Sequence, residues 1–187
     1  AVLGLFLLYQ LFSYRSRFNL TSRPVTYHGT AEIRPECPPQ LQGLNEILVV
    51  MKTGVTESLD KVPVHFETSF RCVPNYIIFS DFEEEIGGVQ VHDVLRNMDS
   101  EVRRTIPDFD LYNRLREMGR PGLGTNDFQD EANSAIGKPN NPGWKLDKWK
   151  FLPMVQETLR HKNDAKWYVF MEADTFVFWA NLLEWLE

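Results

Sequence analysis

The chain has 187 residues, of which 43% are hydrophobic, 13% aromatic and 25% charged, enough for one domain with a core of its own. This composition excludes disordered, collagen-like and repeat-array classes, and twenty Lys and Arg against twenty-six Asp and Glu, a net charge of −6, exclude the basic footprint of a nucleic-acid binder. Two cysteines match no paired-cysteine zinc set and allow at most one bridge.

Residues 1–14 are apolar and uncharged, with Arg15 and Arg17 directly after them, and no small-residue cleavage site follows. The run predicts part of a transmembrane signal anchor, with a buried core helix as the bland alternative. Residues 15–43 are polar, aperiodic and broken by Pro24, Pro35, Pro38 and Pro39, which suits a stem. Asn19-Leu20-Thr21 is an N-glycosylation sequon if this part faces a secretory lumen. In that compartment Cys37 and Cys72 either form one disulfide, worth roughly 3–4 kcal/mol for such a loop, or stay two buried thiols.

The folded unit is expected over 44–187. Ile47 to Met51 is an apolar, β-branched run stopped by Lys52-Thr53-Gly54, the pattern of a strand buried on both faces of a parallel sheet. Thr56 to Phe70 has mixed helical spacing interrupted by Pro63, and Tyr76 to Phe79 is a second buried strand ending at Ser80-Asp81. Gly88 to Val94 alternates as a third strand, and Ser100 to Met118 is helical apart from a break at Pro107. Gly119 to Gly143 is rich in Gly, Pro, Asn and Asp and predicts a long surface loop. Trp144 to His161 resumes a helix with Leu146, Trp149, Leu152, Met154, Val155 and Leu159 as apolar positions and a kink at Pro153. Lys166 to Met171 is another buried strand, and Ala180 to Leu186 a last helix. The alternation predicts an α/β fold with a mostly parallel sheet.

The last strand runs straight into Glu172-Ala173-Asp174, two carboxylates between the apolar runs Val169-Phe170-Met171 and Phe176-Val177-Phe178. Acidic groups in such a place need a cation or a turn into solvent. In open α/β sheets ligands bind outside the carboxyl ends of strands, and hard oxygen ligands select Mn²⁺ or Mg²⁺. The triplet alone is equally well a solvated turn. Lys148 and Lys150 read as a solvated helix face before a phosphate site, and Trp144, Trp149 and Trp167 as core before sugar platforms. His65, His92 and His161 show no ligand spacing and receive no role.

Taken together, ILVVMKTG, YIIFSD, GWKLDKWKFLPMV and KWYVFMEADTFVF, in this order over residues 44–187, resemble the Fringe-like and core 1 β1,3-galactosyltransferase family, in a fungal-type member. The most specific part is the W-Y-x-x-x-[DE]-x-D-[TN]-[YF] pattern from Trp167 to Phe176. The resemblance implies a GT-A-like nucleotide-binding sandwich behind an anchor and stem. It further implies a single-pass type II Golgi or secretory-pathway membrane protein with a lumenal domain, using a UDP-sugar and Mn²⁺ (or Mg²⁺) on a glycoprotein or glycan acceptor. By position Asp174 is then the main metal ligand and Glu172 the first acidic one, with Ala173 departing from the usual DDD triplet. Lys52, Thr53, Gly54 and Asp81 match nucleotide-facing positions, where the Thr53 hydroxyl and strand-end carbonyls meet uracil or ribose.

The implied reaction is inverting glycosyl transfer, most like that of an N-acetylgalactosaminide β-1,3-galactosyltransferase in O-glycan synthesis. A metal on the diphosphate stabilises the leaving group. The chain ends at Glu187, nine residues after Phe178, whereas the family's acceptor site and general base lie further on. The expectation is therefore a fragment, truncated at the C-terminus, with weak or no catalysis. The alternatives are a non-catalytic relative acting as a folding partner, against which the acidic pair argues, and a secretory-pathway α/β binding domain.

Overall fold

The computed structural model describes residues 36–128 and 141–186. A 3₁₀ helix, Pro39–Glu46, leads into strand β1 (Ile47–Lys52), helix α1 (Ser58–Glu67) and strand β2 (Tyr76–Ser80). Strands β3 (Glu84–Ile86) and β4 (Val89–Asp93) follow, then helices α2 (Ser100–Thr105) and α3 (Asp110–Met118). Helix α4 (Pro142–His161), strand β5 (Trp167–Glu172) and helix α5 (Trp179–Leu186) complete the described chain. The sheet order is β3-β4-β2-β1-β5, parallel except for the β3–β4 pair. The fold is α/β with a mostly parallel five-stranded sheet, compatible with a Rossmann-like sandwich.

Strand β1 is central and buried along its whole length. One face of the sheet carries Ile47, Val49, Met51, Ile78 and Met171, covered by α1, α5 and the leading 3₁₀ helix through Val62, Trp179 and Leu44. The other carries Leu48, Val50, Ile77 and Phe79, covered by α3 and α4 through Tyr112, Leu115, Leu146 and Met154. Helices on both faces are what a parallel sheet with two apolar faces requires.

Residues 36–43, placed by the sequence at the end of the stem, belong physically to the domain. Leu41 packs on the first core, a side chain on Gly43 would meet Leu183, and Cys37 and Cys72 form a disulfide. The expected anchor, the rest of the stem and Asn19 lie outside the described residues. Among the described residues no helix is long and apolar enough to cross a membrane.

Three local expectations are corrected. The third strand is half of a hairpin, because Gly87 and Gly88 both take positive φ (59° and 80°) and turn β3 back onto β4. The helices α1 and α4 continue through Pro63 and Pro153. Docking of buried residues on either side, Val62 and His65 in α1, Lys150 and Met154 in α4, offsets the lost backbone bond. The inward stripe of α4 is Gly143, Leu146, Lys150, Met154, Glu157 and Thr158, while the expected apolar positions Leu152, Val155 and Leu159 are exposed.

Candidate functional site

The connection from β1 to β2 passes through α1 on one face, whereas β5 is reached from α4 on the other, so the chain reverses direction across the sheet between β1 and β5. Such a switch point opens a crevice at the carboxyl ends of the two strands. Lys52 and Glu172 are partners in register there, and the pairing runs on as the Ala173 amide donates to the Lys52 carbonyl at 2.9 Å.

Two lysines organise this edge. Lys150, from the middle of α4, is completely buried: its Nζ lies 2.9 Å from Asp81 Oδ2 and 2.9 Å from Asp147 Oδ1, and donates to the Thr53 carbonyl at 2.9 Å. Burial alone would depress the pKa of this ammonium; Asp81 and Asp147 outweigh it and hold it above the ordinary lysine value. Lys52 Nζ lies 2.9 Å from Glu172 Oε1 and 3.1 Å from Asp147 Oδ2, with the Phe151 ring 4.7 Å away. Asp147 thus bridges both lysines.

The turn Thr53-Gly54-Val55 is clamped between these groups. The Val55 amide donates to Asp81 Oδ1 at 2.8 Å and the Thr53 amide to the Phe79 carbonyl at 2.8 Å. A Cβ on Gly54 would stand 3.2 Å from Lys150 Nζ and 3.4 Å from Asp81 Oδ2, so the absence of a side chain lets this backbone approach the buried pair. Glu57 follows, accepting from Thr53 Oγ1 at 3.4 Å. Its pKa is raised, by burial first; Lys150 and Lys52 oppose the rise, and the carboxylates of Asp147 and Asp174 add to it.

The structure thereby brings Lys52, Thr53, Gly54, Asp81 and Glu172 to one edge. Asp174 lies in the turn after β5, exposed, with Thr175 Oγ1 3.5 Å from its carboxylate. Cys37 and Cys72 sit ahead of β2, on the opposite edge. Three more residues belong to the edge: Asp147 and Glu57, to which sequence reasoning gave no part, and Lys150, read as a solvated helix face before a phosphate site. Asp147 and Lys150 were detectable as an i, i+3 opposite-charge pair in GWKLDKWK, and Glu57 had no signal. His65, given no role, is buried and donates from Nε2 to the Ala173 carbonyl at 2.8 Å, fixing the residue between the acidic pair.

The tryptophans divide: Trp149 packs on Phe109 (5.1 Å) and donates to Asp108 Oδ2 at 2.9 Å, as core packing predicts, but Trp144 and Trp167 are exposed. Of the two lysines read as a solvated face, only Lys148 is exposed.

Five carboxylates (Glu57, Asp81, Asp147, Glu172, Asp174) against two ammonium groups give this edge an acidic surplus of hard oxygen donors, the type that Mn²⁺ or Mg²⁺ takes. The number is short: among the described residues no group of three or more His, Cys, Asp or Glu is placed to hold a metal ion, and Glu172 is engaged by Lys52. A cation here needs oxygen atoms from its ligand as well.

Further along the edge, Asp93 ends β4. Burial pushes its carboxyl up to about 6, against the bonds from Tyr112 (Oη to Oδ2, 2.7 Å) and the Leu95 amide (2.8 Å to Oδ1), while Asp81 and Glu83 add to the rise. The folded protein therefore keeps this proton where the unfolded chain, with a carboxyl near 3.8, has lost it. The stabilisation is complete below about pH 4 and lost as pH rises through about 6. Wild-type stability is expected to fall by up to about 2–3 kcal/mol across this window relative to Asp93→Asn in urea unfolding. Parallel profiles for the two proteins would refute it.

Comparison with known proteins finds no family model that matches the chain, no similar curated protein and no similar solved structure.

Proposed function

We propose that the domain binds a UDP-sugar at the crevice between β1 and β5 and serves as the donor-binding part of a metal-dependent inverting glycosyltransferase of GT-A type. The observation that carries this reading is the juxtaposition, at a topological switch point, of the Thr53-Gly54 turn with the acidic segment Glu172-Ala173-Asp174. Each half of that pair comes from a segment on which the family resemblance rests. In this reading Thr53 and the backbone of the turn face the nucleoside, and Asp174 and Glu172 are the residues that would hold Mn²⁺. Lys52 exchanges its contact with Glu172 for a phosphate oxygen. The metal supplies charge stabilisation for the departing diphosphate. Lys150 and Asp81 position the turn and touch no substrate.

The resemblance extends the proposal to transfer of galactose to N-acetylgalactosamine of glycoproteins by a type II membrane protein of the Golgi. The Lys52–Glu172 ion pair favours a second reading, a non-catalytic folding partner or binding domain of the secretory pathway. Calorimetric titration of UDP into the folded protein separates the two. Binding is expected with Mn²⁺ present, and is expected to disappear on metal removal and in Asp174→Ala. Absence of UDP binding by a protein with native near-ultraviolet dichroism would overturn the transferase reading.

A further inference from the structure

A second polar concavity lies on α2 and α3, built by residues that take no part in the site above. Ser100, Arg103, Arg104, Asn113, Arg116 and Glu117 line a cavity of about 450 Å³. Arg96, Arg114, Arg120 and Arg160 each have a carboxylate partner within ion-pair distance. The three arginines of the cavity have none within that distance among the described residues, although Glu117 shares the lining. In a chain of net charge −6, three guanidinium groups are gathered into one hollow whose lining holds a single carboxylate, Glu117, while the buried Asp93 acts on Arg116 from behind Tyr112.

Two of them are held in place. Arg103 is half-buried; its Nε donates to the Met98 carbonyl at 3.2 Å, and its own carbonyl accepts from Asn113 Nδ2 at 2.8 Å. The Arg116 guanidinium stands 5.8 Å from the centre of the Tyr112 ring and donates to the Tyr112 hydroxyl at 3.4 Å. These contacts leave donors of both forks unused, and among the described residues no side-chain hydrogen bond or ion pair restrains the exposed Arg104. Like charges collected in one hollow repel, and an anion among them offsets the repulsion. Planar guanidinium forks match tetrahedral oxyanions two bonds at a time, and the Ser100 hydroxyl adds another donor. The hollow is open to solvent, with Ser100, Arg104, Arg116 and Glu117 exposed, and its volume leaves room for a small organic body beside the anion.

We propose that this cavity is a binding site for a phosphate or sulfate ester of a small organic molecule, gripped by Arg103, Arg104 and Arg116. It is independent of the donor site and of any divalent metal.

The test is calorimetric titration of the whole chain, in EDTA, with inorganic pyrophosphate, glucose 6-phosphate and glucose 6-sulfate, the last two distinguishing phosphate from sulfate as the source. One-site binding is expected for at least one of the two esters, weakened by added NaCl and about tenfold by Arg104→Gln. It is expected to be lost in the triple variant Arg103→Gln, Arg104→Gln, Arg116→Gln. Arg71→Gln, an arginine outside the cavity, and Asp174→Ala are expected to leave it unchanged. No binding of either ester at about 10 mM by a folded protein, even where pyrophosphate alone binds, would overturn the proposal, as would binding indifferent to Arg104→Gln. Because no side-chain hydrogen bond or ion pair among the described residues rests on Arg104, that single variant decides the matter even if the triple variant fails to fold.

Discussion

Lys150→Met is expected to destabilise the domain by about 3–5 kcal/mol, the cost of stripping a buried ion pair of one partner. The Lys150 ammonium is wholly enclosed and is shared among Asp81, Asp147 and the Thr53 carbonyl. Its removal does not harm the three equally. Asp147 is partly exposed and keeps Lys52, whereas Asp81 is buried and loses the cation at its Oδ2, retaining the Val55 amide at Oδ1. The penalty should therefore belong chiefly to Asp81. The double variant Lys150→Met, Asp81→Asn is expected to lie closer to wild type than the single variant does, because a neutral amide still accepts from Val55 without carrying an unpaired charge. Urea unfolding at neutral pH measures both. A single-variant loss below about 1 kcal/mol, or no recovery in the double variant, would contradict the assignment.

Removing the disulfide is expected to cost about 3–4 kcal/mol, from the freedom that the unfolded chain regains when a 35-residue separation is no longer closed. The bridge ties the start of the described chain to the segment ahead of β2, and between them the leading 3₁₀ helix lays Leu41 and Leu44 on the first core. Without the link these residues stay docked only through their own burial. In Cys37→Ser, Cys72→Ser the urea midpoint should fall, and reductant should bring wild type to the same midpoint while leaving the variant unmoved. A wild-type midpoint insensitive to reductant would show that the bridge does not stabilise the fold.

How far the sequence foretold the fold depends on what each element buries. Strands β1 and β2 were legible because both faces of a parallel sheet demand continuous apolar runs, and few other arrangements produce ILVVM or YIIF. The similar run of β5 predicted a buried strand, but β5 is an edge strand in which only Met171 is buried, with Trp167 and Phe170 exposed. The short strand β3 was not legible, since Glu84-Glu85-Ile86 carries no alternation; the signal lay in Gly87-Gly88, a two-residue turn read as the start of a strand. In α4, periodicity placed Leu146, Trp149 and Met154 on the core side as found, and misplaced Leu152, Val155 and Leu159. Its inward stripe includes Lys150 and Glu157, neutralised by Asp81 and Arg96 from distant segments, and no local pattern contains those partners. Leu152, Val155 and Leu159 were read as core for want of that information. The site follows the same logic: Glu172 and Asp174 stood out as carboxylates in an apolar context, but Lys52 opposite Glu172 follows only from the register of β1 on β5.

That register also governs how the chain is made. Glu46 and Lys166, the residues just ahead of β1 and β5, are joined across 120 residues of sequence. At a synthesis rate of about 5–20 residues per second, β1 emerges roughly 6–24 seconds before the strand that will cover its second edge. During that interval the most apolar segment of the domain can pair with β2 but has one bare edge, a client for any chaperone that holds extended apolar chain. Yield on expression, more than the stability of the finished molecule, should thus be the property most sensitive to changes in β5.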